Sequence, residues 1–427
     1  MKKSIVVLIV VLALVVLVSP GIIGMFADRA VEQQVEWAED ENTDLVIQTE
    51  RFDRGWFSSE GTHRISIADQ MRSVVTGEAL PDLVVETRID HGIVPLASLG
   101  REQGTLKPGL GSAISTMRLE FEDGSSTEVP GTIYTDIGLV GDMRSRYELE
   151  AGGYEDIEWS DSSLRVTTNP QQQTAVFEGE IPTLSISDAG EQQQLENLRF
   201  AGDVKMTPYG FATGEFDVSI GSLTTTTPSM PPMVIGPVTL SQASAIENER
   251  LDASVRMNID MAGLPGVGDA GFVMDFNLGN ADAAAFGELL TQLDEVSASA
   301  DPDSLMLAAE DSLMDLCAGG FELRFNQLDL TLPAGVLSTR LDLTVPETNR
   351  ADFTWTSLLL AAELNANVSV PTAIYYMASM MNPDLAQAVE MGILKQEGDA
   401  YEMVAEYKKG LLSVNGAPFP LPIGATQ

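Results

Sequence analysis

From Thr43 onward the chain is written in a period of two. Leu45, Ile47 and Thr49 alternate with Val46, Gln48 and Glu50, and the pattern breaks at Asp53-Arg54-Gly55 before Trp56-Phe57 resume it; Ile65 and Ile67 close a hairpin. The alternation returns in Leu83, Val85, Thr87 and Ile89, in Met117, Leu119 and Phe121, in Val255, Met257, Ile259 and Met261, and in Phe272, Met274, Phe276 and Leu278. Each such run predicts a strand with one dry face. FELRFNQLDLTLPAGVLSTRLDLTVP predicts two strands around Pro333-Ala334-Gly335, and Asn415-Gly416 predicts a two-residue hairpin turn near the C-terminus. The prolines of TTTTPSMPPMVIGP, Thr224 to Pro237, argue against a central strand there and mark a domain joint or a covering loop.

Helical spacing comes late. Phe286, Leu289, Leu290 and Leu293 predict a helix over 281–296, and the same pattern after Asp301-Pro302 predicts one over 304–316. A further pair, 372–381 and 383–394, is rich in methionine, an adaptable packing residue that also suits an apolar ligand surface.

A different pattern stands ahead of all this. MKKSIVVLIVVLALVVLVSPGIIGMF has no polar side chain from Ile5 to Val18, and about 20 mostly apolar residues can span a bilayer as a helix. Lys2 and Lys3 hold its start in the cytoplasm, so the rest of the chain faces the other side. A cleaved secretory signal is the competing reading. Met25-Phe26-Ala27 puts a large residue where cleavage wants a small one, and the residues favour a retained anchor over 1–26. ADRAVEQQVEWAEDE continues as a membrane-proximal helix over 27–42.

Composition bounds the remainder. At 427 residues the exported part is long enough for two domains, placed at 43–227 and 228–427. The single Cys317 can form no internal bridge, and it reads as a small buried residue. With 63 Asp plus Glu against 24 Lys plus Arg, the net charge of −39 argues against nucleic acid or an anionic lipid surface as the main partner. The acids are scattered, which reads as a solvated surface, and the scarcity of lysine points to a salty medium.

Chemistry-bearing motifs are few. His63 and His91 are the only histidines, which excludes a multi-histidine metal centre, and no EF-hand loop, G-x-S-x-G elbow, phosphate loop or dinucleotide fingerprint is present. His63 reads as a strand residue and His91 as a turn residue. No catalytic, cofactor or metal residue is therefore assigned. The candidate contacts are non-catalytic: Met377, Met380, Met381 and Met391 for an apolar ligand, and Trp56 with Phe57 as a partner patch, although aromatics after a tight turn also cap sheet ends.

Four stretches, FDRGWFSSEGTHRISI, IDHGIVPL, LRFNQLDLTLPAGVLSTRLDLTV and YEMVAEYKKGLLSVNGAPFPLP, resemble the YdgA-type proteins, a family of unknown function in Gram-negative envelopes. The resemblance follows order and spacing along nearly the whole chain. It brings no reaction, cofactor or catalytic residue, and it implies an inner-membrane-anchored periplasmic protein. More loosely, the build is similar to the β-rich, groove-forming AsmA-like envelope proteins associated with lipid traffic, an analogy of architecture alone.

The expectation is a mostly β, α+β protein: an N-terminal transmembrane helix, then antiparallel β-rich exported domains with a few late helices. Its partners are the inner membrane bilayer and a lipid-like ligand or another envelope protein. Its role is non-enzymatic, with an envelope hydrolase of unrecognised site as the alternative.

Overall fold

In the computed structural model the described residues are 45–54, 58–67, 81–91, 111–121, 124–138, 142–154, 156–169, 171–188, 190–228, 230–264, 266–297, 310–382 and 384–419. They are mostly strand in antiparallel pairing, and they fall into two compact units, Met1–Lys205 and Met206–Gln427. The expected anchor and the helix after it, 1–42, lie outside the described residues. Among the described residues no helix is long and apolar enough to cross a membrane.

The first unit contains β1 (Leu45–Arg54), β2 (Ser58–Ile67), β3 (Asp82–His91), β4 (Gly111–Glu120), β5 (Ser126–Ile137), β6 (Met143–Leu149), β7 (Gly152–Tyr154), β8 (Ile157–Trp159), β9 (Ser162–Asn169), β10 (Thr174–Asp188) and β11 (Glu191–Met206). Strands β1 to β6 follow one another as a meander, β9 adds to β6, and β10 and β11 follow. The small β7–β8 hairpin is tied in where β8 pairs with β10.

One face carries the core: Ile65, Leu83, Val85, Met117, Ile133, Tyr147, Leu164 and Val166 are all buried. They sit opposite one another in register, as in Ile65↔Leu83, Val85↔Met117 and Ile133↔Tyr147, so the period-two pattern is spent on cross-strand contacts. Burial of each such side chain stabilises by about 1.5–3 kcal/mol. On the other face acids and arginines interlock, with Arg64 Nη1 3.0 Å from Asp82, Arg64 also bonded to Glu50 and Glu120, and Arg118 bridging Glu120 and Glu86. Two glycines have a packing reason. Gly179 and Gly202 lie under the rings of Phe200 and Phe177 across the β10–β11 ladder, where a Cβ would sit 2.3 and 2.4 Å from ring carbons.

The second unit contains β12 (Ala212–Ile220), β13 (Ser222–Thr227), β14 (Met230–Glu247), β15 (Arg250–Leu264), β16 (Gly268–Asp282), α1 (Ala283–Ser297), α2 (Glu310–Gly319), β17 (Phe321–Leu332), β18 (Gly335–Val345), α3 (Trp355–Ala361), β19 (Glu363–Pro371), α4 (Thr372–Met381), α5 (Asp384–Glu390), β20 (Lys395–Glu397), β21 (Ala400–Lys408), β22 (Leu411–Val414) and β23 (Ala417–Phe419). Strands β12 and β13 lie in tandem along β14. The ladder then runs β14, β15, β16, β17, β18, β19, β21, with β20 and β22 on the outer side of β21 and β23 on β22.

The expected late helices are present. The first appears as α1 and the second, described from Glu310, as α2, its expected start at 304–309 lying outside the described residues; α4 spans the expected residues, and α5 stops at Glu390 because the chain turns off at Gly392, φ 70°. Helix α3 was not anticipated, though its start is signalled locally: Thr354 and Ser357 cap each other's backbone in a capping box.

One expectation is overturned. The proline-rich stretch is not a covering loop but the β13–β14 hairpin, and β14 is paired on both sides for much of its length. The prolines fit because each avoids a ladder bond. Pro231 and Pro232 precede Val234, where pairing with β15 begins, and Pro237 falls in the register shift between Ile235 and Val238.

Candidate functional site

The second unit carries an apolar face that its own core does not absorb. Across β14 to β18 three rows of side chains stand in direct register: Val238, Ile259, Phe272, Leu330 and Leu337; Leu240, Met257, Met274 and Leu328; Val255, Phe276, Phe325 and Leu341. All of them remain partly exposed. A bulge in β17 beside Asp275 and Phe276 supplies the extra residue that puts Phe325 on the same face as Leu328 and Leu330, and the Phe276 and Phe325 rings pack at 5.0 Å between centroids.

The opposite face is polar. Arg256 binds Asp275 at 2.9 Å, and this bond, with Asn326 and Asn277 also donating, holds the Asp275 carboxyl below the usual carboxylate range.

Among the described residues, helices cover this apolar face at its margins. At one end of the strands α1 and α2 pack on it, joining Leu251, Ala281, Ala283, Ala285 and Leu316 into a core that takes in Leu278 and Phe321. Toward β19 and β21, α4 and α5 cover it with Tyr375, Leu385, Val389 and Leu394 over Val370, Tyr401 and Met403. Between them lies a trough floored by Val, Ile, Leu, Met and Phe. Such a surface offers dispersion contacts and burial to an extended apolar chain, and no acid, base or nucleophile.

Of the residues singled out from sequence, those that are described fall elsewhere. Met377 and Met380 stand on the outer side of α4, exposed at 51% and 85%, while Ile374 and Tyr375 make its buried side. Met391 follows α5 and is exposed; the Met381 side chain, and Trp56 and Phe57, lie outside what is described. The methionines of the trough are Met257 and Met274. Their signal was in the sequence as strand alternation, but nothing local distinguished a half-covered face from a closed one.

The candidate reactive groups are not assembled for chemistry. His63 is buried, its Nδ1 lies 3.1 Å from Thr49 Oγ1, and burial pulls its pKa down. The His91 side chain is outside the described residues. Cys317 is buried beside Ala318 and Phe353, and burial pushes its thiol up, away from the reactive thiolate. Among the described residues no group of three or more His, Cys, Asp or Glu could hold a metal ion.

No match was found among curated proteins or among solved structures. A family model described as "Bacterial protein of unknown function (DUF945)" matches residues 1–422. This agrees with the uncharacterised bacterial family that the sequence resemblance led us to expect, the YdgA name itself resting on that resemblance. Matched over nearly its whole length, the chain belongs to this bacterial family of unknown function.

Proposed function

We propose that the protein is a periplasmic protein anchored in the bacterial inner membrane, with a non-enzymatic envelope role: its second unit holds the acyl chain of a lipid-like ligand along the trough of β14 to β18. The observation that carries this reading is the apolar face in three registered rows, partly exposed and flanked by helices on its margins. A sheet face of that composition is ordinarily closed by a second layer, and an exposed contiguous apolar patch marks a binding surface. Met257 and Met274 in the floor suit chains of varied length, since methionine repacks at low cost. The apolar run behind Lys2 and Lys3 would hold the unit next to a source of lipid.

The test is mass spectrometry of apolar extracts from gently purified full chain. Near-stoichiometric lipid is expected in the wild type, reduced in Met274→Glu, which puts a charge in the trough floor, and retained in Met380→Glu, which lies outside it. A wild-type extract free of apolar molecules overturns the reading.

A further inference from the structure

Helix α3 and the start of β22 share an apolar surface that lies in water. Leu359 and Leu360 are 43% and 58% exposed, Leu411 is 75% exposed, and Trp355 stands one turn ahead of Leu359 on α3. Two contacts bring helix and strand together. The Tyr407 hydroxyl donates to the Leu359 carbonyl, and a Cβ on Gly410, beside Leu411, would lie 2.9 Å from Leu360 Cδ2. The charged groups around this surface already have partners of their own: Lys408 binds Glu363 at 2.7 Å, Arg350 binds Asp315, and Glu310 accepts from the Trp355 indole at 3.4 Å. Lys409 in the β21–β22 turn and Asp352 ahead of α3 are the other charges nearest in sequence.

The sheet's last hairpin leads to the same place. Strands β22 and β23 pair as Val414↔Ala417, Ser413↔Pro418 and Leu412↔Phe419, and among the described residues β23 pairs with β22 alone. The described residues end at Phe419, and Pro420, Leu421, Pro422 and Ile423 come next. Continued in the same register, Pro420 falls opposite Leu411 and Leu421 opposite Gly410. Leu421 then shares the face of Phe419, Leu412 and Tyr407, from which Tyr407 reaches α3, while Pro420 shares the face of Leu411. The β21–β22 turn ends the ladder there, and Pro422-Ile423 pass on to α3.

The spacing of the prolines fits this path. Proline cannot donate to a ladder and sits in a strand only where its nitrogen faces away from the neighbour. Pro418 already pairs with Ser413 on those terms. Pro420 and Pro422 repeat it at a period of two, so their nitrogens face the same outer edge, and the N–H of Leu421 faces Gly410.

We propose that residues 420–423 extend β23 to the end of β22 and seat on α3 as a strap, Pro420 on Leu411 and Leu421 with Ile423 on Leu359 and Leu360, closing this edge of the sheet against other chains. The chain's own segment is the occupant because the hairpin delivers it to the surface, so docking is intramolecular and few contacts suffice. Residues 410–427 contain no Asp, Glu, Lys or Arg, so seating the strap desolvates no charged side chain of its own. A second copy is disfavoured by repulsion between chains of net charge −39. With donors missing at alternate residues, the outer side of the strap offers a poor template for strand addition.

The test is disulfide formation in the full chain, whose Cys317 is buried. Opposed residues that exchange no ladder bonds have Cα atoms about 4.5 Å apart, within the reach of a disulfide. With oxidised glutathione as the oxidant, Leu411→Cys with Pro420→Cys is expected to close a bridge within one chain, read by peptide mass. Leu411→Cys with Leu421→Cys, one residue out of register and on the opposite face, should stay reduced. Maleimide modification of Leu360→Cys is expected to be several-fold slower in the full chain than in a chain stopped after Phe419, and light scattering should show the stopped chain associating where the full chain does not. The proposal is overturned by failure of the 411–420 bridge, by equal bridging of both pairs, by equal maleimide rates, or by a stopped chain that stays as dispersed as the full one. A bridge that forms between two chains overturns it as well and assigns the edge to a second copy.

Discussion

Burial of the His63 ring within the β1–β2–β3 ladder disfavours its charged form, so its pKa in the folded chain lies below the ordinary value of 6.5. The unfolded chain therefore binds this proton first as pH falls. His63 contributes stability that is complete above pH 6.5 and is lost as pH falls from there through the depressed folded value. Urea midpoints of the wild type are expected to drop between about pH 7 and about pH 5 by more than those of His63→Gln, which carries no such proton. Equal slopes would remove His63 as a cause. Met380 is the opposite case: with its side chain 85% exposed, Met380→Glu should change unfolding free energy by less than about 0.5 kcal/mol, against about 2–5 kcal/mol for Leu251→Ala in the α1–α2 core. Denaturant titration of the two variants checks both. The same methionine run on sequence alone is compatible with either environment.

Among the elements, the C-terminal hairpin shows how a local signal understates its own role. Asn-Gly announces a tight turn, and Asn415 and Gly416 adopt φ of 51° and 75° between the paired Val414 and Ala417. Beyond the turn, the Asn415 side chain also stitches three segments. Its Oδ1 accepts from the Val404 N–H at 2.9 Å, and its Nδ2 donates to the carbonyls of Gly392 and Ile393 at 2.9 and 3.0 Å. Asn415→Ala is therefore expected to cost about 2–3 kcal/mol, more than a turn residue alone, while Asn415→Asp, which keeps the acceptor and loses the donor, should fall between. A loss below about 0.5 kcal/mol by urea titration would show that these bonds are replaced by water. The long β14 strand makes the complementary point. Its prolines argue against pairing one residue at a time, and pairing survives because Pro231 and Pro232 sit opposite a register shift in β13 and ahead of the β15 pairing, and Pro237 sits in the register shift with β15.

At the scale of the molecule, the acid excess and the apolar amino-terminal run set what the chain can sit beside. The proposed anchor has a direct consequence: a reporter active only outside the cytoplasm, fused after Gln427, should work, and the protein should resist alkaline extraction from membranes. A soluble, shortened product would overturn the anchor while leaving the trough intact. The arginines are spent largely on lateral pairs such as Arg64 with Glu50 and Asp82, and Arg256 with Asp275, so neutralisation of the acids is local and leaves the net charge for the solvent to screen.

The period-two runs, the Pro-Ala-Gly and Asn-Gly turns and the late helical spacing determined by themselves that the described residues form an antiparallel, mostly β protein whose helices fall in its second unit, because strand face, turn geometry and helix stripe are each written within a few neighbouring residues. Whether an alternating face is closed or left open was not legible, since Leu83 in a closed core and Met274 in the trough present the same alternation; only the register of five strands and the positions of α1, α2, α4 and α5 separate them.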